Sequence, residues 1–146
     1  MESSEITNLH LLMAFRRCAH LQYHYGQNPG QSRLLILLRQ RGPQTQRAMC
    51  EITQRRAATL SQQLSQMEQD GLIVRSVNAE DKRNMDVALT PAGQLAAEEA
   101  QQERSRQADI LFGDLPPADR GELLRLLELL RDRWADASAQ KEASDR

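Results

Sequence analysis

Aromatic side chains are scarce in this 146-residue chain: one Trp, two Tyr and two Phe make up 3 per cent of it. The interior must then be filled by Leu, Ile, Met and Ala, a set that favours helix. Cysteine is almost absent. Cys18 and Cys50 lack the spacing of a metal motif and cannot form a disulfide framework, so both are expected as free thiols in a reducing compartment. No run approaches the roughly 18 apolar residues of a membrane span. The start, Met1-Glu-Ser-Ser-Glu5, has no basic opening of the signal-peptide kind, and the expectation is a cytoplasmic chain with no membrane partner. A Gly-rich phosphate loop, a metal-ligand cluster and a supported Ser-His-Asp spacing are also missing. The chain is therefore expected to be no enzyme, with no metal and no cofactor.

Charge of one sign is missing too, since the net charge is −1, but the charges are unevenly placed. Gln31 to Arg75 carries seven arginines against three acids, Glu51, Glu68 and Asp70. Pro91 to Arg146 carries eight basic residues against twelve acids. The middle of the chain suits a polyanion and the C-terminal part does not. With 40 per cent hydrophobic and 27 per cent charged residues, the composition is that of one ordered domain.

Periodicity predicts a helix over Ile6 to Tyr25, where Leu12, Phe15, Ala19 and Tyr23 recur at three- and four-residue steps. Gly26-Gln-Asn-Pro-Gly30 is a break. Gln31 to Arg41 follows as a helix with Leu34, Leu35, Leu37 and Leu38 on a broad apolar face, ended by Gly42-Pro43. Thr45 is the expected N-cap of a short helix reaching Ile52. Arg56 to Gln69 forms the next, with Leu60, Leu64 and Met67 at i, i+4 and i+7, and Asp70-Gly71 stops it. The period then changes. Leu72 to Val77 and Met85 to Leu89 read as strands around a polar tip, Asn78 to Asn84. Thr90-Pro91 opens a helix running to Phe112, Thr90 as N-cap and Pro91 at the first position. After Gly113-Asp-Leu-Pro-Pro117 comes a last helix, Asp119 to Ser138, with Leu123, Leu127, Leu130 and Trp134 on one side and a frayed tail behind it.

A short helix, a tight turn, a longer helix and a hairpin are the parts of a winged helix-turn-helix. The second helix of such a unit enters the major groove, where base edges offer donors and acceptors to Arg and to short polar groups. Gln44, Thr45 and Gln46 open the first helix. Arg55, Arg56, Thr59, Ser61, Gln62 and Gln63 supply the reading chemistry of the second. Arg55 and Arg56 also stand at a helix start, against the macrodipole, which a phosphate or base would compensate. Arg75, Lys82 and Arg83 flank or form a tip able to reach backbone or minor groove. A solvated polar helix face would look similar; the hairpin behind it tips the balance towards DNA.

Three stretches then carry a family resemblance: Gly30-Gln-Ser-Arg-Leu-Leu35, Gly42-Pro-Gln-Thr-Gln46, and Ala58 through Gly71-Leu-Ile73. They continue into Arg75, Glu80-Asp-Lys-Arg83 and Val87-Ala-Leu-Thr-Pro-Ala-Gly93. In this order and spacing the sequence resembles MarR-family (multiple antibiotic resistance) transcriptional regulators from Leu11 to Trp134. The resemblance implies a mainly α fold with a small β-hairpin. A winged helix-turn-helix lobe at 28–90 would be flanked by dimerisation helices at 5–25 and 91–138, with 139–146 as a tail, all within one domain. It also implies a homodimer on a pseudo-palindromic duplex, with Arg83 as the wing arginine and Asp81 orienting the tip by ion pairing. Small phenolic or other lipophilic effectors would release the DNA. Two departures stand out: Thr53, Gln54 and Arg55 replace the Leu-Gly-Ile kind of turn, and Gln63 stands where an apolar residue is usual.

The wide Leu surfaces of the first and last helices need cover that one small lobe does not supply, so pairing of two chains is expected. In the first helix Met13, Arg17, His20, Tyr23 and His24 are candidates for an effector pocket, with dimer packing as the equal alternative. His20 and His24 have a metal-compatible spacing, but two ligands rarely hold a metal. Cys18, near Arg16, Arg17 and His20, is either a redox-sensing thiol or a small apolar filler; Cys50 is expected in the core. The competing reading of the whole is a dimeric helical interaction module with weak or no specific DNA binding, to which the polar turn at Thr53 to Arg55 would belong.

Overall fold

The computed structural model describes residues 5–24 and 29–145, and of His24 and Pro29 only the backbone. The expected helix end at Tyr25 and the break at Gly26 to Asn28 lie outside the described residues. The elements are α1 (Asn8–His24), α2 (Pro29–Arg41), β1 (Gln44–Thr45), α3 (Gln46–Thr53), α4 (Ala57–Gln69), β2 (Ile73–Val77), β3 (Met85–Leu89), α5 (Pro91–Phe112) and α6 (Pro117–Ser144). The chain divides into two compact units, residues 1–107 and 108–146. Among the described residues no helix is long and apolar enough to cross a membrane.

In the first unit the core is a knot of side chains from α2, α3, α4, the sheet and α5. Leu34, Leu35, Leu38, Met49, Leu60, Leu64, Met67, Ile73, Val87 and Ala97 are all buried. The α4 stripe predicted from its spacing is the centre of this knot. On α2 the rotation differs from expectation: Ile36 is buried and Leu37 only half-buried. Cys50 packs against the core from its edge.

The predicted hairpin is present, with Ile73 opposite Leu89 and Val77 opposite Met85. A third, two-residue strand completes it. Gln44 and Thr45 pair antiparallel with Val87 and Asp86, giving the order β1-β3-β2. Two residues are too short to show a period of two, so composition carries no trace of β1. At the other end α6 begins at Pro117, which suits the first helical turn, and continues to Ser144 rather than fraying after Ser138. Ala139-Gln-Lys-Glu-Ala143 are strong helix formers with no Gly or Pro to stop them.

In the segment Leu89-Thr-Pro-Ala-Gly93, Thr90 and Gly93 each have a structural reason. Thr90 Oγ1 accepts from the Gly93 N–H at 3.0 Å, capping α5, and donates to the Gly71 carbonyl at 2.6 Å. The Thr90 N–H donates to the Leu72 carbonyl at 3.0 Å. The start of α5 thus sits directly on the turn that ends α4. A Cβ at position 93 would lie 1.9 Å from the Leu72 carbonyl oxygen, a distance no side chain tolerates. Gly93→Ala should therefore push α5 off the turn and lower stability by about 2 kcal/mol. Urea unfolding of both proteins checks this; an unchanged midpoint would mean that the close approach is not maintained in solution.

Candidate nucleic-acid interface

The short helix α3 is started by Thr45, whose Oγ1 accepts from the Ala48 N–H at 3.1 Å. It ends in the polar turn noted above, and each residue of that turn has a local partner. Thr53 Oγ1 donates to the Met49 carbonyl at 2.7 Å. Gln54 takes the left-handed conformation, φ 57, usually given to glycine, and its Nε2 donates to the Glu51 carbonyl at 2.7 Å. Arg55 turns inward: one guanidinium nitrogen donates to Gln63 Oε1 and the other to the Gly30 carbonyl. Burial, and then the nearby charge of Arg33, holds this guanidinium below its usual pKa range. It remains a cation at neutral pH.

With Leu60, Leu64 and Met67 buried, the opposite face of α4 is fixed as Ala58, Thr59, Gln62 and Gln66, all exposed. Arg56 is the N-cap residue, is exposed, and makes no side-chain capping bond. Of the expected reading residues, Thr59 and Gln62 therefore lie on the outward face of α4 near its start, with exposed Arg56 just before the helix. Ser61 is half-buried, and Gln63 is occupied by Arg55. At the foot of the unit Gln44 Nε2 donates to the Arg41 carbonyl at 3.4 Å, while Gln46 Oε1 accepts from Arg75.

The wing tip is built by asparagine and aspartate side chains that stand in for backbone partners. Asn78 Oδ1 accepts from the N–H groups of Glu80 and Asp81 at 3.0 and 2.9 Å, and Asn78 Nδ2 donates to Asp86 Oδ1 at 2.8 Å. Asn84 Oδ1 accepts from the Arg47 N–H at 3.4 Å, linking the tip to α3. Asp81 makes a backbone bond and not the ion pair expected of it: its Oδ1 accepts from the backbone N–H of Arg83 at 3.0 Å. Among the described residues no salt bridge ties Asp81 to Lys82 or Arg83. Both cations are exposed at the tip, available to a phosphate or a groove.

Arg75 is placed differently from the tip residues. Its Nη2 lies 3.3 Å from Glu68 Oε1 and 2.9 Å from Ser65 Oγ, and its Nη1 lies 3.4 Å from Gln46 Oε1. Glu68 Oε2 also accepts from the Arg75 backbone N–H at 3.2 Å. This side chain is a brace joining α4, β2 and the start of α3. Sequence reasoning missed Glu68 and Ser65 as its partners, and missed exposed Arg47 beside the wing. The spacing of Glu68 and Arg75 across an Asp-Gly turn was the available signal.

On α1, Met13, Arg17 and His20 fall on one face at steps of four and three, with Tyr23 to the side, and all four are exposed. Cys18 is exposed as well. The side chain of His24 lies outside the described residues. Among the described residues no group of three or more His, Cys, Asp or Glu side chains is arranged to hold a metal.

A helix-turn-helix with a two-stranded wing and a third strand closing the sheet is the winged-helix DNA-binding fold. Residues 28–85 match the family model described as MarR family. No curated protein sequence matches the chain. Among solved structures it is similar to a probable transcriptional regulator from Pseudomonas aeruginosa, at 25% identity and a TM-score of 0.72, covering 82% of this chain and 96% of that one. It is similar to Bordetella bronchiseptica BpsR, at 24% identity and TM-score 0.71, covering 90% and 97%, in a structure concerned with regulation of its DNA binding by 6-hydroxynicotinic acid. PcaV from Streptomyces coelicolor in complex with its natural ligand aligns at 17% identity and TM-score 0.70, covering 90% and 98%. The family match spans α2 to the start of β3, so the helix-turn-helix lobe is similar to that of MarR-family regulators.

The brace gives a prediction independent of any ligand. Arg75 has 15% and Glu68 42% of its side chain exposed, so solvent screens part of the attraction. A double-mutant cycle of Glu68→Ala and Arg75→Ala should give a coupling of about 1 kcal/mol in unfolding free energy. Additive losses would show that the two side chains act separately.

Proposed function

We propose that this chain is a homodimeric, ligand-responsive repressor that binds a pseudo-palindromic duplex site in the cytoplasm. The observation that carries the reading is the outward face of α4 with the wing beside it. Thr59 and Gln62 project from one side of a helix whose other side is locked in the core, and exposed Arg56 stands just before it. Lys82 and Arg83 stand at a tip made rigid by Asn78, Asp81 and Asn84. Thr59 and Gln62 then read base edges, Arg56 meets a phosphate at the helix start, and Arg83 enters the adjacent minor groove. Gln44, Thr45, Gln46 and Ser61 support the contact from the flanks.

Two further observations support the assembled form. Every described residue of α1 up to Tyr23 is exposed, including Leu9, Leu11, Leu12, Met13 and Phe15. In α6 no residue is buried, although Leu124, Leu126, Leu127, Leu129, Leu130 and Trp134 lie on it. A helix apolar on most of its circumference requires cover, and a second copy of the chain supplies it. The effector reading rests on BpsR, whose DNA binding is regulated by 6-hydroxynicotinic acid, on PcaV in complex with its natural ligand, and on Met13, Arg17, His20 and Tyr23 along α1; the same dimer would enclose them. Release of DNA by a small phenolic or lipophilic molecule follows from this arrangement.

Binding to the duplex upstream of its own gene should weaken steeply between 50 and 200 mM salt, as counterion release demands, and Arg83→Ala should reduce the logarithmic salt slope by about one. Gel-shift titration at several salt concentrations measures both; no shift at the lowest salt would remove DNA binding. For the assembly, sedimentation equilibrium should return twice the 16.6 kDa chain mass. Leu127→Asp with Leu130→Asp should move it towards the monomer, and a monomeric wild type would sink the dimer.

A further inference from the structure

The two departures from the family pattern, the polar turn at Arg55 and the polar residue at Gln63, meet in space. Arg55 donates to Gln63 Oε1 and, at 3.3 Å, to the carbonyl of Gly30 in the first turn of α2. Gln63 is on α4, three residues after Leu60 and one before Leu64. The contact is tight. A Cβ added at Gly30 would lie 3.0 Å from Gln63 Nε2 and 3.8 Å from Arg55 Nη1. Arg55 is half-buried here, and its guanidinium plane is committed to two acceptors on two different helices.

We propose that Arg55 is a positioning residue for DNA reading, and not a DNA contact. Through Gln63 and Gly30 it clamps the N-terminal half of α4 to the start of α2, and so sets the angle at which Arg56, Thr59 and Gln62 face the groove. The inference rests on the DNA-binding reading above. An apolar side chain at each position would hold the two helices by packing; this chain holds them by directed hydrogen bonds. A charged donor left without its acceptor near Arg33 is costly, so breaking the clamp tilts α4 and leaves its fold intact.

The test uses a duplex selected by the wild-type protein from a random pool, and Arg55→Leu, Gln63→Leu and the double variant, each checked by circular dichroism and melting. Each single variant should bind about tenfold more weakly. The double variant should lose about the same tenfold, because both changes break one clamp. The salt slope should be unchanged in all three, since no phosphate contact is lost. A slope lower by about one in Arg55→Leu would make Arg55 a direct contact and overturn the proposal. So would losses that multiply to roughly a hundredfold in the double variant, or binding as tight as wild type in Gln63→Leu, the variant that keeps the charge and decides the matter if Arg55→Leu does not fold. A wild type that selects no duplex would instead overturn the DNA-binding reading, and the clamp's role in it.

Discussion

The rotation of α4 about its own axis is the constraint on which the interface depends. Leu60, Leu64 and Met67 are each exposed by 1% or less, and burying side chains of this size contributes about 2 kcal/mol each. Turning the helix by one residue, about 100°, would carry all three towards water and drive polar side chains into the α2 and α3 core. The apolar stripe therefore decides, without touching a ligand, that Thr59 and Gln62 face outward. The turn before α4 and the turn after it are subordinate to that choice. Gln54 accepts a left-handed conformation to reach it, and Gly93 gives up its side chain so that α5 can close over the exit.

Local charge overstates the cations available to a polyanion. Seven arginines stand between Gln31 and Arg75, but they are not equivalent. Arg39 pairs with Glu98 at 3.0 Å, outside that segment. Arg75 is held by Glu68, Ser65 and Gln46, and Arg55 by Gln63 and Gly30. Each is a guanidinium whose fork suits several acceptors at once, which a lysine ammonium would not match. The lobe thus uses arginine in two ways: as a rigid tie between helices and strands, and as an exposed charge at Arg47, Arg56 and Arg83. A count along the sequence cannot separate the two uses, because the difference lies in which acceptors fall within reach after folding.

Features governed by neighbours in the chain were legible before any coordinates. The Thr45 and Thr90 caps, the stripe of α4 and the alternation of Met85 to Leu89 depend on spacings of two to four residues, and spacing is what a sequence displays. The misses have a different physical origin. Strand β1 is defined by its pairing with Val87 and Asp86, forty residues away, and its own two residues carry no signal. Asp81 was expected to use its charge on Arg83; it uses its acceptor oxygen on the backbone instead, the commoner habit of aspartate in a tight turn. The helix beyond Ser138 was hidden because a polar, charged tail reads as frayed, while Ala, Gln, Lys and Glu propagate a helix already nucleated.

The polar turn from Thr53 to Arg55 first looked like a weakness of the helix-turn-helix, and was the feature that favoured an interaction module without DNA specificity. Each of its three side chains has a partner: Thr53 on Met49, Gln54 on Glu51, Arg55 on Gln63 and Gly30. The half-buried guanidinium of Arg55 has its acceptors in Gln63 and Gly30, and without them it would destabilise the turn. Together these bonds fix the relation of α4 to the start of α2. The same relation, α4 against the start of α2, is the one a DNA-reading helix needs held, because its angle to the rest of the lobe sets its angle to the groove.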